Sequence, residues 1–193
     1  MFCFAVGIFY TFGPLPLSRL PLGELFSGVT MGLLIPVLAV LVNVTPEELI
    51  GLNFSPTFVT VQFNWHNLLA LLLLCVLPTA VIAGVELANN LADYDENLVN
   101  ERKTIAMYIS RKTGLNWYQL LVYVGYAATT VAVFIRVLPW PALIIWLTLP
   151  YVVKLTKIFL VKQHKQQTFH TSLIVAGVEM MAVVAGLAIG LVI

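Results

Sequence analysis

Charge is scarce in this chain. Asp, Glu, Lys and Arg make up 10% of its 193 residues and hydrophobic residues 60%, where a soluble domain carries about 25% charged and about 45–50% apolar residues. That shortage excludes a soluble globular domain. Cysteine is equally sparse: Cys3 and Cys75 lie in apolar runs with no CxxC or Cys/His spacing, so neither a disulfide scaffold nor a zinc site has support. Both are expected to be small packed or lipid-facing residues. The net charge of +1 comes with no basic patch or stripe, so no nucleic-acid partner is expected. Aspartate occurs at positions 93 and 95 and nowhere else.

What is present is apolar sequence in long windows, with a mean hydropathy of +0.95. At about 20 apolar residues per membrane span, five full spans are expected: about Leu25 to Val44, Asn67 to Ala92, Trp117 to Leu138, Pro139 to Val161 and Thr171 to Ile193. Met1 to about Phe12 is too short to cross a bilayer core of about 30 Å. It lacks the positive n-region and cleavage site of a signal peptide and is expected to be a partial N-terminal helix. The expected fold is therefore all-α, a polytopic transmembrane helix bundle forming one domain over residues 1–193. Phe54 to Phe63 is too short to span and is placed at the membrane interface. Pro36, Pro78 and Pro150 fall inside spans and predict kinks, because neighbouring helices and water can satisfy the freed carbonyls. Ala176, Gly177, Ala182, Ala185, Gly186 and Gly190 in the last span are expected to let helices approach closely.

The positive charges set an orientation. Arg19, Arg102, Lys103, Arg111, Lys112, Lys162 and Lys165 fall in loops on one side if the spans alternate, and Lys154 and Lys157 sit near the same end. Lys and Arg concentrate on the cytoplasmic side of membrane proteins, so loops 13–24, 93–116 and 162–170 are expected there. Arg136 lies near the other face, with Glu47 and Glu48.

One stretch is chemically loaded: GVELANNLADYDENLVNERKT, Gly84 to Thr104, which holds both aspartates. On a helix, Glu86, Asn89, Asn90, Asp93 and Asn97 recur at spacings of three and four and share one face, while Asp95 points elsewhere unless the helix ends first. Carboxylate and amide oxygens are hard ligands suited to Mg²⁺, which keeps water and substrate phosphates in its shell. Arg102 and Lys103 can hold the same phosphates. A helix running into an aqueous loop also becomes polar for no functional reason; the depth of Glu86 favours function, since ionisable groups within a span are costly. Glu179, deep in the last span, has three readings: protonated, paired with a basic group, or part of a polar pocket. His66, His164 and His170 show no metal-ligand spacing.

NNLADYDENLVNERKTIA, Asn89 to Ala106, resembles the second Asp-rich motif of the UbiA superfamily of intramembrane aromatic prenyltransferases, in particular the branch that prenylates 1,4-dihydroxy-2-naphthoate on the way to menaquinone. That motif is an Asn-Asn-x-x-Asp-x-Asp-x-Asp run followed by Gly-Arg/Lys-Lys-Thr. YTFGPLPLSRLPLGELFSG, Tyr10 to Gly28, is similar to the loop before the family's fifth helix. The resemblance implies that Asn90, Asp93, Asp95 and Asn97 hold Mg²⁺, that Arg102, Lys103 and Thr104 bind diphosphate, and that Asp93, Asp95 and Lys103 act in catalysis. Tyr10 and Glu24 are implied in substrate binding, although Glu24 can equally complement a helix N-terminus. Two positions depart from the pattern: Asn97 stands for a third aspartate, which predicts weaker Mg²⁺ binding, and Glu101 stands for glycine.

The implied partners are a polyprenyl diphosphate, an aromatic acceptor and the lipid bilayer. Neutralising the diphosphate ionises the allylic carbon, and the electron-rich acceptor captures it. Tyr10, Tyr94, Tyr108 and Tyr118 are available for cation–π contact, though tyrosines gather at membrane boundaries anyway. The family's first Asp-rich motif and its early helices are missing here, so the chain looks like an N-terminally truncated member. Either a second chain supplies the other half, or the chain does not catalyse alone. Two rival functions are a non-catalytic isoprenoid-binding or assembly subunit, and a small transporter with Glu86, Asp93 and Glu179 along an ion path.

Overall fold

Inside hydrocarbon the backbone must bond to itself, and a helix does this within one segment. Every long apolar window of the chain accordingly coils. The structure, a computed structural model, describes residues 4, 7–9, 12–13, 22–100 and 104–193. Most of the expected N-terminal partial helix lies outside the described residues, as do Tyr10, Arg102 and Lys103.

Among the described residues, five helices are long and apolar enough to cross a membrane: α1 (Gly23–Leu41), α2 (Trp65–Ala92), α5 (Arg111–Phe134), α6 (Trp140–Val161) and α7 (Phe169–Gly190). Two short helices, α3 (Tyr94–Val99) and α4 (Ile105–Tyr108), lie between α2 and α5. The fold is all-α apart from one small hairpin, as expected, and each expected span has its helix. The largest difference is at the start of α5, six residues before Trp117, where the Ser110 hydroxyl accepts the Thr113 N–H at 3.1 Å. That cap satisfies one of the free donors of the first turn.

The three prolines lie in or beside coiled segments without ending them. Pro78 lies within the uninterrupted α2. In α1 the residues Gly28–Leu34 form a wider π stretch; within it the Thr30 hydroxyl donates to the Phe26 carbonyl, and just after it Pro36 has no N–H for the carbonyl four residues back. In α6 the first nine residues, Trp140–Thr148, form a tighter 3₁₀ helix. There the Trp146 carbonyl accepts from Leu149, because the next residue, Pro150, has no N–H to offer.

Packing then follows side-chain size. Gly32 of α1 lies against α2, where a Cβ would come 2.3 Å from the Thr79 Cα, so the two backbones meet directly. Gly186 of α7 does the same against α6, where a Cβ would come 2.5 Å from the Pro141 carbonyl oxygen. Gly177, by contrast, faces open space and Ala185 is exposed, while Ala176 and Ala182 pack against the core. α2 is the hub, packed against α1, α5 and α7. The core around it holds Leu87, Leu91, Tyr118, Tyr126 and Phe159, with the Tyr118 and Phe159 rings edge to face at 5.1 Å.

The segment between α1 and α2 is an antiparallel hairpin, β1 (Ile50–Phe54) and β2 (Val59–Phe63), in register from Ile50 opposite Phe63 to Phe54 opposite Val59. Its Thr, Val and Phe content suits strands. The hairpin caps the end of the bundle opposite the aspartates, where the Asn67 side chain donates to the Glu48 carbonyl at 2.8 Å. At about 1.5 Å per residue the 28 residues of α2 run about 42 Å, beyond a hydrocarbon core of about 30 Å. Its polar end, Asn89 to Ala92, can thus project past the lipid.

The close approach at Gly32 has a measurable consequence. Gly32→Ala is expected to lower the thermal midpoint of the purified protein in detergent by several degrees, an overpacking loss of about 1–3 kcal/mol. Gly177→Ala is expected to leave the midpoint unchanged.

Candidate functional site

The loaded stretch does not continue as one helix. α2 ends at Ala92, and Asp93 leaves helical geometry at φ −96°, ψ 15°. Its N–H still bonds the Asn89 carbonyl at 3.0 Å, and its own carbonyl accepts from Asn97 at 2.8 Å. The turn at Asp93 divides the expected single stripe into three directions.

The first direction is inward. Asn90 is buried and its side-chain amide donates to Glu24 Oε1 at 2.8 Å, joining α2 to the first turn of α1. Glu24 is also buried, and its other oxygen has no partner among the described residues. The Glu86 carboxylate, one turn below Asn90, acts electrostatically on Glu24. The second direction is outward: Asp95 is 88% exposed and pairs with Arg111 at 3.4 Å. The Arg111 guanidinium also lies over the Tyr94 ring at 4.7 Å, so that tyrosine already faces a cation.

The third direction holds a convergence of oxygens on one cation. Asn89 Oδ1 and Asp93 Oδ2 both accept from the ammonium of Lys165, which comes from the loop between α6 and α7. The side chain of Asp93 is 16% exposed and that of Lys165 is 44% exposed. The two oxygens thus form a seat for a cation, presently filled by a lysine.

Asn97 and Thr104 are buried, and Asn97 Nδ2 and Thr104 Oγ1 have no hydrogen-bond partner among the described residues. Asn90, Asp93, Asp95 and Asn97 therefore do not meet at one point in this chain. Among the described residues no group of three or more His, Cys, Asp or Glu gathers to hold a metal. Lys165 entered the sequence analysis only as a loop charge. Nothing in local spacing marks a contact 72 residues away; the sole signal was the charge count that put both loops on one face.

The chain matches a 1,4-dihydroxy-2-naphthoate octaprenyltransferase of Bacillus subtilis (strain 168), 30% identical over 109 residues. The chain is similar to an aromatic prenyltransferase. That similarity bears out the resemblance to the UbiA superfamily carried by the two motifs. The match covers 56% of this chain and 28% of the relative's length. No family profile and no solved structure matches the chain.

Glu179 lies at the centre of the bundle, 0% exposed, with neither oxygen hydrogen-bonded among the described residues. No basic side chain pairs with Glu179 among those residues. Tyr118 of α5 lies within electrostatic reach of Glu179, in keeping with the polar-pocket reading.

Two stability outcomes follow. Asn90→Leu removes the donor to Glu24 and is expected to cost about 1–3 kcal/mol in thermal unfolding, part of it recovered when Glu24→Leu is added, because contacting residues are not additive. Glu179→Met keeps the volume and removes two unpartnered oxygens, and is expected to raise the midpoint by a few degrees, about 1 kcal/mol.

Proposed function

We propose that this chain forms the part of an intramembrane aromatic prenyltransferase that carries the second Asp-rich motif. The complete assembly transfers a polyprenyl group from an allylic diphosphate to an aromatic acceptor, 1,4-dihydroxy-2-naphthoate. The observation that carries this is the convergence of Asn89 and Asp93 on one cation within the motif, at the end of the longest span. The similarity to the Bacillus subtilis enzyme supports it.

The cation seat suits Mg²⁺, which takes hard oxygens, commonly one or two carboxylates, and completes its shell with water and substrate phosphates. Asn89 and Asp93 would hold it. When bound it supplies charge neutralisation of the diphosphate. Asp95, exposed and tied to Arg111, contributes charge to the rim, and Arg102, Lys103 and Thr104 belong to the same motif as diphosphate-binding residues. The chain's own spans do the rest: their apolar sides accept the isoprenoid tail and keep water from the reacting carbon. The allylic C–O bond breaks with its electron pair leaving on diphosphate, the acceptor ring forms the new C–C bond, and the naphthoate carboxylate leaves as CO₂ with its bonding pair restoring the ring.

The second jaw, the first Asp-rich motif, comes from polypeptide outside these 193 residues, in the same or a second chain. The site faces the cytoplasm. The Lys165 contact to Asp93 brings the turn after α2 and the loop between α6 and α7 to one end of the bundle, where Arg111 also pairs with Asp95, and positive charges of this kind favour the cytoplasmic face.

In an assembly that contains the first motif, Asp93→Ala is expected to lower Mg²⁺-dependent prenyl transfer by about a hundredfold or more, since preorganised charge stabilisation is worth about 10²–10³ in rate. Asp95→Ala is expected to lower it less than tenfold. Radiolabelled prenyl transfer to the naphthoate measures both. Full activity of Asp93→Ala would overturn the proposal, and turnover by the 193-residue chain alone would overturn the requirement for a second jaw.

A further inference from the structure

The loop that carries Lys165 is built rigidly. At its start the Gln163 side chain donates to the carbonyls of Phe159 and Leu160 at 2.8 and 2.9 Å, closing the last turn of α6. At its end Thr168 is buried. Its hydroxyl accepts the His164 N–H at 2.9 Å and donates to the Lys162 carbonyl at 2.8 Å. The His164 carbonyl accepts from the N–H groups of Thr168 and Phe169 at 2.9 and 3.1 Å. Lys165 stands at the tip of this knot, its ammonium 5.1 Å from the centre of the Phe169 ring and bonded to Asn89 and Asp93. A lysine on a loop tied at both ends is aimed, and its aim is across the mouth of α2.

An ammonium has three N–H donors. Two of them go to Asn89 and Asp93, and the 44% exposure of the side chain opens the remainder to solvent. A divalent cation bound to the same two oxygens would sit at contact distance from this ammonium, and like charges at that distance repel strongly. The seat therefore takes one cation at a time. Four methylenes with freely rotating torsions let the ammonium swing without moving the loop, and the group it would swing toward is the anion that the divalent cation brings.

We propose that Lys165 is a tethered cation: it holds the Asn89 and Asp93 seat in the ligand-free chain, yields that seat to a divalent cation, and then becomes a direct ligand of the diphosphate. This rests on the prenyltransferase proposal for the identity of the diphosphate, and adds to the motif a basic group from a different loop. Lys165 binds and positions; it transfers nothing.

The test uses the purified 193-residue chain in detergent, with Mn²⁺ as a spectroscopic probe read by electron paramagnetic resonance and inorganic pyrophosphate titrated at saturating Mn²⁺. Lys165→Met is expected to tighten Mn²⁺ binding about tenfold, since its competitor is gone, and to weaken pyrophosphate about tenfold, since a ligand is gone; each factor of ten corresponds to about 1.4 kcal/mol. Lys165→Arg is expected to restore pyrophosphate binding in part. Either shift missing in Lys165→Met overturns the exchange, as does a pyrophosphate affinity that Lys165→Arg leaves no better than Lys165→Met. Asp93→Asn separates the two proposals. If Asp93→Asn weakens Mn²⁺ while Lys165→Met changes nothing, only the tethered cation falls. If Asp93→Asn leaves Mn²⁺ binding unchanged, the cation seat itself falls, and the exchange with it.

Discussion

A backbone surrounded by hydrocarbon has no water to bond, and each unpaired amide there costs several kcal/mol. Everything else in this protein is arranged under that constraint. It forces the five long windows into helices, accommodates Pro36 and Pro150 beside local π and 3₁₀ coiling and Pro78 within an unbroken helix, and confines the small hairpin to the segment between α1 and α2. It also confines the accessible charge to the helix ends. Functional polarity therefore collects at the end of the bundle where α2, the longest helix, emerges.

At that end three polar pairs divide the work among themselves. Glu24 with Asn90 ties α1 to α2 below the surface. Asp95 with Arg111 lies in solvent, where an exposed ion pair is worth little. Asp93 with Asn89 and Lys165 sits between them, half enclosed. That intermediate position suits an exchangeable site, because full burial would forbid ligand access and full exposure would screen the charge.

The buried Glu179 belongs to a different part of the design. It is fully buried on α7, within electrostatic reach of Tyr118 on α5. An ionisable residue enclosed in this way is costly, and no basic side chain pairs with it among the described residues.

The spans, their number and their alternation were legible in the amino-acid order, because hydropathy over about 20 residues is a local property. The motif around Asp93 was legible for the same reason, as contiguous residue types. The bend at Asp93 was not, since a period of three or four assumes that the helix continues, and here it stops one residue earlier. Nor was the division of Asn90, Asp93, Asp95 and Asn97 among separate surroundings. Partners such as Glu24 for Asn90 and Lys165 for Asp93 lie 66 and 72 residues away, and only the packing of helices brings them within reach. Sequence by itself determined that this is a membrane helix bundle with an acidic, amide-rich helix end; tertiary structure decided which oxygens share a cation, because convergence is a property of distance in space and not of spacing along the chain.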